Sequence, residues 1–432
     1  MRVRDGRCSI IGKAGKAGQC ALMDSPDSAR RTATLVLVDA AGAVLGELPP
    51  IELATPWWND IAPLVRAVQQ RDGLHVTVLR LLVAERDAGP GGAVWYLAEV
   101  SKPVAGLRPW TGPLDDDPLR LPYARVGGPQ ADLDWASSVL QARGLHLAGA
   151  PEQIRTWNLS SLWRLPTSDS TAVWLKAVPP FFAHEGAVID LLASHPVPRL
   201  LGRDGPRVLL APVDGEDLYE ADESTCKAMI DLLVGLQSRW LGRGDELAAL
   251  GLPDWRGTAF TAKLGALLER RAAELVAEDR SGLEAFVQRL PQRFAAIAGC
   301  GLSEGLVHGD FHRGNFRGGS SSLTLLDWGD SGIGHPLLDQ AAFLDRVPAA
   351  FVGPLRLHWT MAWQHLQPRA EVERAEALLA PVAAARQALI YQHFLDNIEA
   401  SEHPYHRRDV VDWLQRTATM LRRHQGPASK VR

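Results

Sequence analysis

The sequence predicts a mixed α/β (α+β) chain: a small α/β domain, then a larger domain that is strand-rich at first and mostly helical afterwards. Three observations carry this. In 32–101 and again in 151–213, short apolar runs rich in Val, Leu and Trp are bounded by Gly, Pro and Asp clusters, as strands are. In 222–299 and 347–423, apolar residues recur at helical spacing. Between the strand-rich regions lies a proline-rich tract, 102–150. A chain of 432 residues allows two or three domains. Its 46% hydrophobic and 22% charged content is globular material with ample core. A net charge of -4 argues against a nucleic-acid or polyanion partner. Cys8, Cys20, Cys226 and Cys300 are scattered without a CxxC pair, as reduced thiols of a cytoplasmic protein would be. No apolar run reaches the roughly 18 residues of a membrane span.

Taken in order, 1–31 reads as a tail. Its GKAGKAG lacks the spacing and the Ser or Thr of a phosphate loop. Residues 32–48 read as two strands around a turn at Ala41-Gly42. The helical stretch 57–70 has Trp58, Ile61, Leu64, Val65 and Val68 on one side. Pro63 belongs in its first turn and Gly73 at its C-cap. Strands at 74–85 and 93–100 come next, around a Gly/Pro turn at 89–92. This order resembles a Nudix hydrolase. The register of the Nudix signature helix here reads Arg66-Ala67-Val68-Gln69-Gln70-Arg71-Asp72-Gly73. The Arg and Gly are kept, but Ala67, Gln70 and Arg71 stand where the motif has carboxylates, and Glu52 and Trp58 stand at its upstream Gly and Glu. Without those carboxylates, water-activating cations have no ligands. The resemblance therefore implies a degenerate module without hydrolase activity. Residues 102–150 read as a stiff linker with Pro103, Pro109, Pro113, Pro118, Pro122 and Pro129, then a short helix over 133–143.

The chemistry concentrates in 306–339: LVHGDFHRGNF, a Gly/Ser turn, then LTLLDWGDSGIGHPLLD. Asp310, Asn315, Asp327 and Asp339 follow apolar runs at fixed spacings. Phosphoryl transfer asks a protein for such a set. It needs one carboxylate to orient an acceptor hydroxyl and take its proton. An amide oxygen and a second carboxylate hold Mg2+ against ATP phosphates. The pattern resembles the aminoglycoside phosphotransferase and choline kinase family of small-molecule kinases. His308-Gly309-Asp310, then Asn315, match its His-Gly-Asp motif, and Asp327-Trp328 matches its Asp-Trp. The resemblance implies ATP and Mg2+ as cofactors and a bilobal protein-kinase-like fold over about 151–425. It makes Asp310 the catalytic base, Asn315 and Asp327 the metal ligands, His308 a support of the loop, and Asp339 a buried brace.

On the same resemblance 151–213 is the small lobe. Lys176, in an apolar strand over 172–178, would reach the nucleotide phosphates. Glu185, in the first turn of a helix from about 183, would hold Lys176 in place. That helix has Val188, Ile189, Leu191 and Leu192 on its buried side. The loop 158–161, with Ser160 and Ser161, would cover the phosphates, and backbone near Ala211 to Val213 would face adenine. Residues 214–425 form the large lobe, with Pro381 marking a break between two helices, and 426–432 is a tail.

The implied reaction is phosphorylation of a hydroxyl on a small molecule. His-Gly-Asp replaces the His-Arg-Asp of protein kinases, and no Ala-Pro-Glu segment closes an activation loop. Amino sugars, aminoglycosides, other sugars, choline-like alcohols and macrolides all suit the fold. Asp396, Glu399 and Glu402, three residues apart on an expected helix, offer paired carboxylates for an amine-bearing acceptor. They suit equally a solvated face opposite Tyr391, Phe394 and Ile398. A regulatory nucleotide-binding protein with negligible turnover is the alternative. The oligomeric state is open, and neither nucleic acid nor membrane is expected as a partner.

Overall fold

A computed structural model of the chain describes residues 30–87, 89–319 and 322–424. Cys8, Cys20, GKAGKAG, the tip of the Gly/Ser turn and both tails, save Arg30 and Arg31, lie outside the described residues. Arg31 is not part of a tail. It starts β1 (Arg31–Val38) and is buried, its guanidinium donating to the carbonyls of Trp57 at 2.6 Å and Asp60 at 2.7 Å. β2 (Val44–Glu47) returns as the expected hairpin, and β3 (Ile51–Leu53) pairs with the start of β1. α1 (Ala62–Asp72) begins later than the spacing predicts, because Trp58 lies in a preceding turn where its buried indole donates to the Gly91 carbonyl at 2.8 Å. Pro63 lies in the first turn and Gly73 caps the helix at φ 67°. β4 (Val76–Ala84) and β5 (Gly92–Val100) complete a mixed sheet in the order β2-β1-β5-β4, with β1 and β5 parallel.

The tract 102–150 is not one linker. α2 (Gly128–Gln141) starts five residues before the expected helix and belongs to the small lobe. There β6 (Glu152–Trp157), β7 (Ser160–Pro166), β8 (Ala172–Ala177), β9 (Leu200–Asp204) and β10 (Arg207–Leu210) form an antiparallel sheet, order β6-β7-β8-β10-β9. Side chains alternate along these strands. Trp163, Leu165, Leu175 and Leu209 pack with Ala136 and Leu140 of α2, while Leu162, Trp174 and Val208 join the main core. α3 (Glu185–Leu191) covers the latter side with Val188 and Ile189, and Leu192 lies just beyond its end. Leu191, expected on the buried side, is 36% exposed, since a helix this short turns it away from that stripe.

The large lobe opens with the short β11 (Glu216–Asp217), then α4 (Glu223–Ser238), α5 (Gly244–Ala248), α6 (Gly257–Arg271) and α7 (Ala277–Ala298). Short strands β12 (Gly305–Val307), β13 (Phe316–Gly319), β14 (Ser322–Leu325) and β15 (Gly332–Gly334) carry the motif stretch. α8 (Leu338–Leu344), α9 (Ala349–Leu366), α10 (Val372–Asn397) and α11 (Asp409–His424) close the chain. The expected break at Pro381 is absent, and α10 runs through it. A proline inside a helix costs about 3 kcal/mol. The core contacts of Leu379, Val382, Ala385, Ala388 and Leu389 on the same helix outweigh that. Cys226 and Cys300 are buried free thiols. Among the described residues no helix is long and apolar enough to cross a membrane.

The N-terminal module is joined to the kinase-like part along β6. The Gln153 amide donates to the Val78 carbonyl at 2.7 Å and accepts from the Val78 amide at 2.9 Å. Tyr405, between α10 and α11, stands edge-on to both Trp58 of the module and Trp157 of β6. Glu402 accepts from the Leu81 amide at 3.2 Å and is buried. Burial, with Glu399 adding to it, pushes the Glu402 carboxyl from 4.5 to about 8. The folded chain thus keeps a proton that the unfolded chain releases. The contribution of Glu402 to stability falls as pH rises from about 4.5 to about 8. Glu402→Gln, neutral at every pH, is expected to lose that decline. Thermal midpoints of both proteins across this window check it; parallel curves would count against a protonated Glu402.

Candidate active site

Pairing of β12 with β15 sets the two ends of the motif stretch side by side. The loop leaving β12 is held from behind by Asp339 at the start of α8. Its carboxylate accepts from the amides of His308 at 2.8 Å and Gly309 at 2.7 Å, and from the Gln237 side chain at 2.8 Å. His308 Nε2 lies 2.9 Å from the Leu326 carbonyl, tying the loop to the residues just after β14. Gly309 has φ 89°, and a Cβ there would lie 2.0 Å from the Asp330 carbonyl oxygen. That close approach requires glycine at the middle of the motif.

Three further side chains converge. Lys176 of β8 is buried, its ammonium 2.7 Å from Glu185 of α3 and 2.9 Å from Asp327. Burial works against its charge, but Asp327 and Glu185 outweigh that and raise its pKa. Asp327 sits at φ 61°, a left-handed conformation that a non-glycine residue holds only where its surroundings impose it. Asn315 donates to the Asp310 carbonyl at 2.7 Å, and its own side-chain oxygen is buried without a hydrogen-bond partner. A hard cation wants such an oxygen. Among the described residues no group of three or more His, Cys, Asp and Glu side chains makes a cage. An amide oxygen and one carboxylate suit Mg2+, which leaves its other positions to water and phosphate.

Asp310 is not a free carboxylate. Arg346 donates to it at 2.7 Å, and His312 Nε2 is 3.3 Å away. Burial raises its pKa, but Arg346 and then His312 outweigh that and hold it well below the carboxylate range. Arg346 lies just after α8 and has no signature in the sequence. Asp330 is likewise new. It shares a small cavity with Asp310, and burial, then Asp310 and Asp327, push it to about 8. Its signal was present as the second acid of DWGD. Arg386 sits in the Ala-rich part of α10, buried, donating to the carbonyls of Gly309 at 3.1 Å and Asp330 at 3.2 Å. Arg155 of β6 is within electrostatic reach of Asp327.

Other expected residues are placed differently. The hydroxyl oxygens of Ser160 and Ser161 accept from the indoles of Trp157 and Trp163, each at 3.1 Å, and both serines are buried. Their loop is covered by the segment carrying Glu402, which accepts from Asn158 at 3.4 Å. The Ala211 amide donates to the Arg199 carbonyl at 2.9 Å, and Val213 is half-buried beyond it. The acidic stripe does not form, because α10 ends at Asn397. Asp396 pairs with Arg270 at 2.7 Å, Glu399 turns to Arg120 at 3.0 Å, and Glu402 points into the module. The face of α10 beside Asp310 instead presents Gln387, Ile390, Tyr391 and Phe394.

A family model described as the phosphotransferase enzyme family matches residues 167–393, more than half of the chain and spanning Lys176, Glu185 and the stretch from His308 to Asp339. The chain belongs to that family. Three solved structures that it resembles are distant. The macrolide 2'-phosphotransferase of Brachybacterium faecium is 18% identical, with TM-score 0.45, over 69% of this chain and 100% of that one. An ethanolamine kinase of Plasmodium vivax is 12% identical, with TM-score 0.47, over 63% and 81%. An aminoglycoside 2'-phosphotransferase is 14% identical, with TM-score 0.45, over 68% and 99%. No curated protein matches the sequence.

Removing the buried ammonium leaves two carboxylates facing each other without a counter-ion. Breaking a buried pair in this way costs about 3–5 kcal/mol. Lys176→Met is expected to lose that much in urea unfolding, and Lys176→Met with Glu185→Gln to recover part of it. A single variant as stable as the wild type would show that Lys176 does not hold the lobes.

Proposed function

We propose that this phosphotransferase moves the γ-phosphoryl group of ATP to a hydroxyl of a small molecule. The observation that carries the reading is the Lys176–Asp327 ion pair beside an unpartnered Asn315 oxygen, whose residue is tied to Asp310 and accepts at its carbonyl from the amide of Leu326, next to Asp327, at 2.8 Å. In it, Asp310 orients the acceptor hydroxyl and takes its proton. The acceptor oxygen bonds to the γ-phosphorus, and the bond to the β-phosphate oxygen breaks to release ADP. Lys176, steadied by Glu185, neutralises phosphate charge. Asn315 and Asp327 would hold Mg2+, which would supply positive charge beside the phosphates. The N-terminal module, in the same reading, packs and binds without hydrolysing, since α1 carries Ala67, Gln70 and Arg71 at the carboxylate positions.

One observation favours the regulatory alternative. Asp310 is ion-paired with Arg346, and a carboxylate held that way is a poor proton acceptor until the pair opens. ATP consumption across a library of acceptors separates the two readings.

Asp310→Asn, which keeps the side-chain shape but loses the charge paired with Arg346, is expected to fold with reduced stability, to keep ATP affinity nearly unchanged and to lower turnover about 10^2- to 10^4-fold. Full turnover in that variant would remove Asp310 from the chemistry. Asp327→Ala is expected to abolish the Mg2+-dependent part of ATP affinity in calorimetry, and Asn315→Ala to weaken it less, because a dipole is replaced and not a charge. Unchanged Mg-ATP affinity in Asp327→Ala would move the metal elsewhere.

A further inference from the structure

Arg346 stands between two cavities. On one side is the small one that contains Asp310. On the other is a solvent-open cavity of about 150 Å3, lined by residues of α8, α9, α10 and α11. Its polar wall is unusual. Four arginines line it, Arg346, Arg356, Arg386 and Arg416, with two acidic residues, Asp345 and Glu376. Arg356 and Glu376 pair at 3.2 Å, and Arg416 pairs with Asp345. Arg346 is held by Asp310 from the far side, and the Arg386 guanidinium rests on two backbone carbonyls and over the Trp255 ring, 4.8 Å from its centroid. Asp339, behind Arg386, is taken up by the amides of His308 and Gly309.

A second feature points the same way. Gln340 of α8 lines this cavity at 1% exposure. Its amide oxygen has no hydrogen-bond partner, and its nitrogen leans on Glu376 without forming a well-made bond. A buried amide left so costs free energy unless something in the cavity completes it. Guanidinium forks and an amide N–H are donors for an oxyanion, and the amide oxygen accepts from a hydroxyl. Gln387, like Arg346, lines both cavities, so the two are neighbours across these side chains.

We propose that this cavity binds a hydroxylated ligand bearing an oxyanion, a carboxylate or a phosphate, through Arg346 and Gln340. Resting on the phosphotransferase reading, it is the far end of the acceptor. Its oxyanion competes with Asp310 for the Arg346 guanidinium and frees the Asp310 carboxylate for the hydroxyl. The acceptor class is thus anionic, opposite in charge to the amine that the acidic residues 396, 399 and 402 suggested. Those three are turned to other partners.

The test uses the full chain with the nucleotide site filled by a saturating non-hydrolysable Mg-ATP analogue, so that phosphate groups meet only the remaining sites. Inorganic phosphate, gluconate, glucose 6-phosphate, glucose and glucosamine are titrated by calorimetry. Saturable binding of inorganic phosphate and of at least one of the two sugar anions, with glucose weaker and glucosamine weakest, is expected. Stronger gluconate would identify a carboxylate site, and stronger glucose 6-phosphate a phosphate site. Arg346→Gln is expected to weaken the anions at least tenfold and to leave glucose unchanged. Gln340→Leu, which removes a poorly satisfied buried amide, is expected to keep the apo protein folded and equally or more stable while weakening the anions. Absence of saturable anion binding, or equal binding in both variants, overturns the site. Anion binding in this pattern without phosphoryl transfer to any of the sugars, in parallel assays with Mg-ATP, supports the site and counts only against the catalytic reading.

Discussion

Lys176 is buried with a carboxylate from each lobe against its ammonium, and the geometry of the site depends on that. Glu185 arrives on α3, packed under the small-lobe sheet, and Asp327 arrives from the large lobe. The ammonium between them offsets the cost of holding two carboxylates this close. The lobes therefore meet in a register set by a few ångströms of electrostatics, and Asp327 accepts a left-handed backbone to keep it. Asn315 and Asp310, tied to each other and braced by Asp339, are then presented to the same space. Geometry of this kind suits a reaction whose demand on the protein is positioning.

What was legible in the sequence is what local spacing encodes. His308, Gly309, Asp310 and Asn315 share one loop, Asp327 ends one apolar run, and Lys176 and Glu185 are nine residues apart. The bilobal α/β fold is read from those motifs and from the change of apolar period. Partners brought from far along the chain were not legible. Arg346 reaches Asp310 across 36 residues and Glu402 reaches Leu81 across 321. No periodicity announces either. Pro381 misleads in the opposite sense: its intrinsic cost is real, but burial of α10 on several sides exceeds it. The acidic stripe fails because three-residue spacing has meaning only while the helix lasts, and α10 stops before two of the three residues.

The N-terminal module and the 398–406 segment act on the same strand. Gln153 and Thr156 of β6 bond to the β4 backbone, and Tyr405 wedges between Trp58 and Trp157. The turn from β6 to β7, where a kinase fold covers its nucleotide, is thus held from both sides. Ser160 and Ser161 are drawn into indole hydrogen bonds, and the stiffness of this loop is a property of the whole chain and not of the small lobe.

The Leu81–Glu402 contact also bears on how the molecule is made. A module synthesised first folds first where it can, since domains form as units during synthesis. Here one face of the first domain, including the Leu81 amide and the Trp58 indole edge, waits for residues near 402 to 405. Until residues 402 to 405 have emerged, that face and the β6 edge beside it stay uncovered. The turn from β6 to β7 is sealed only then, well after its own strands have been made.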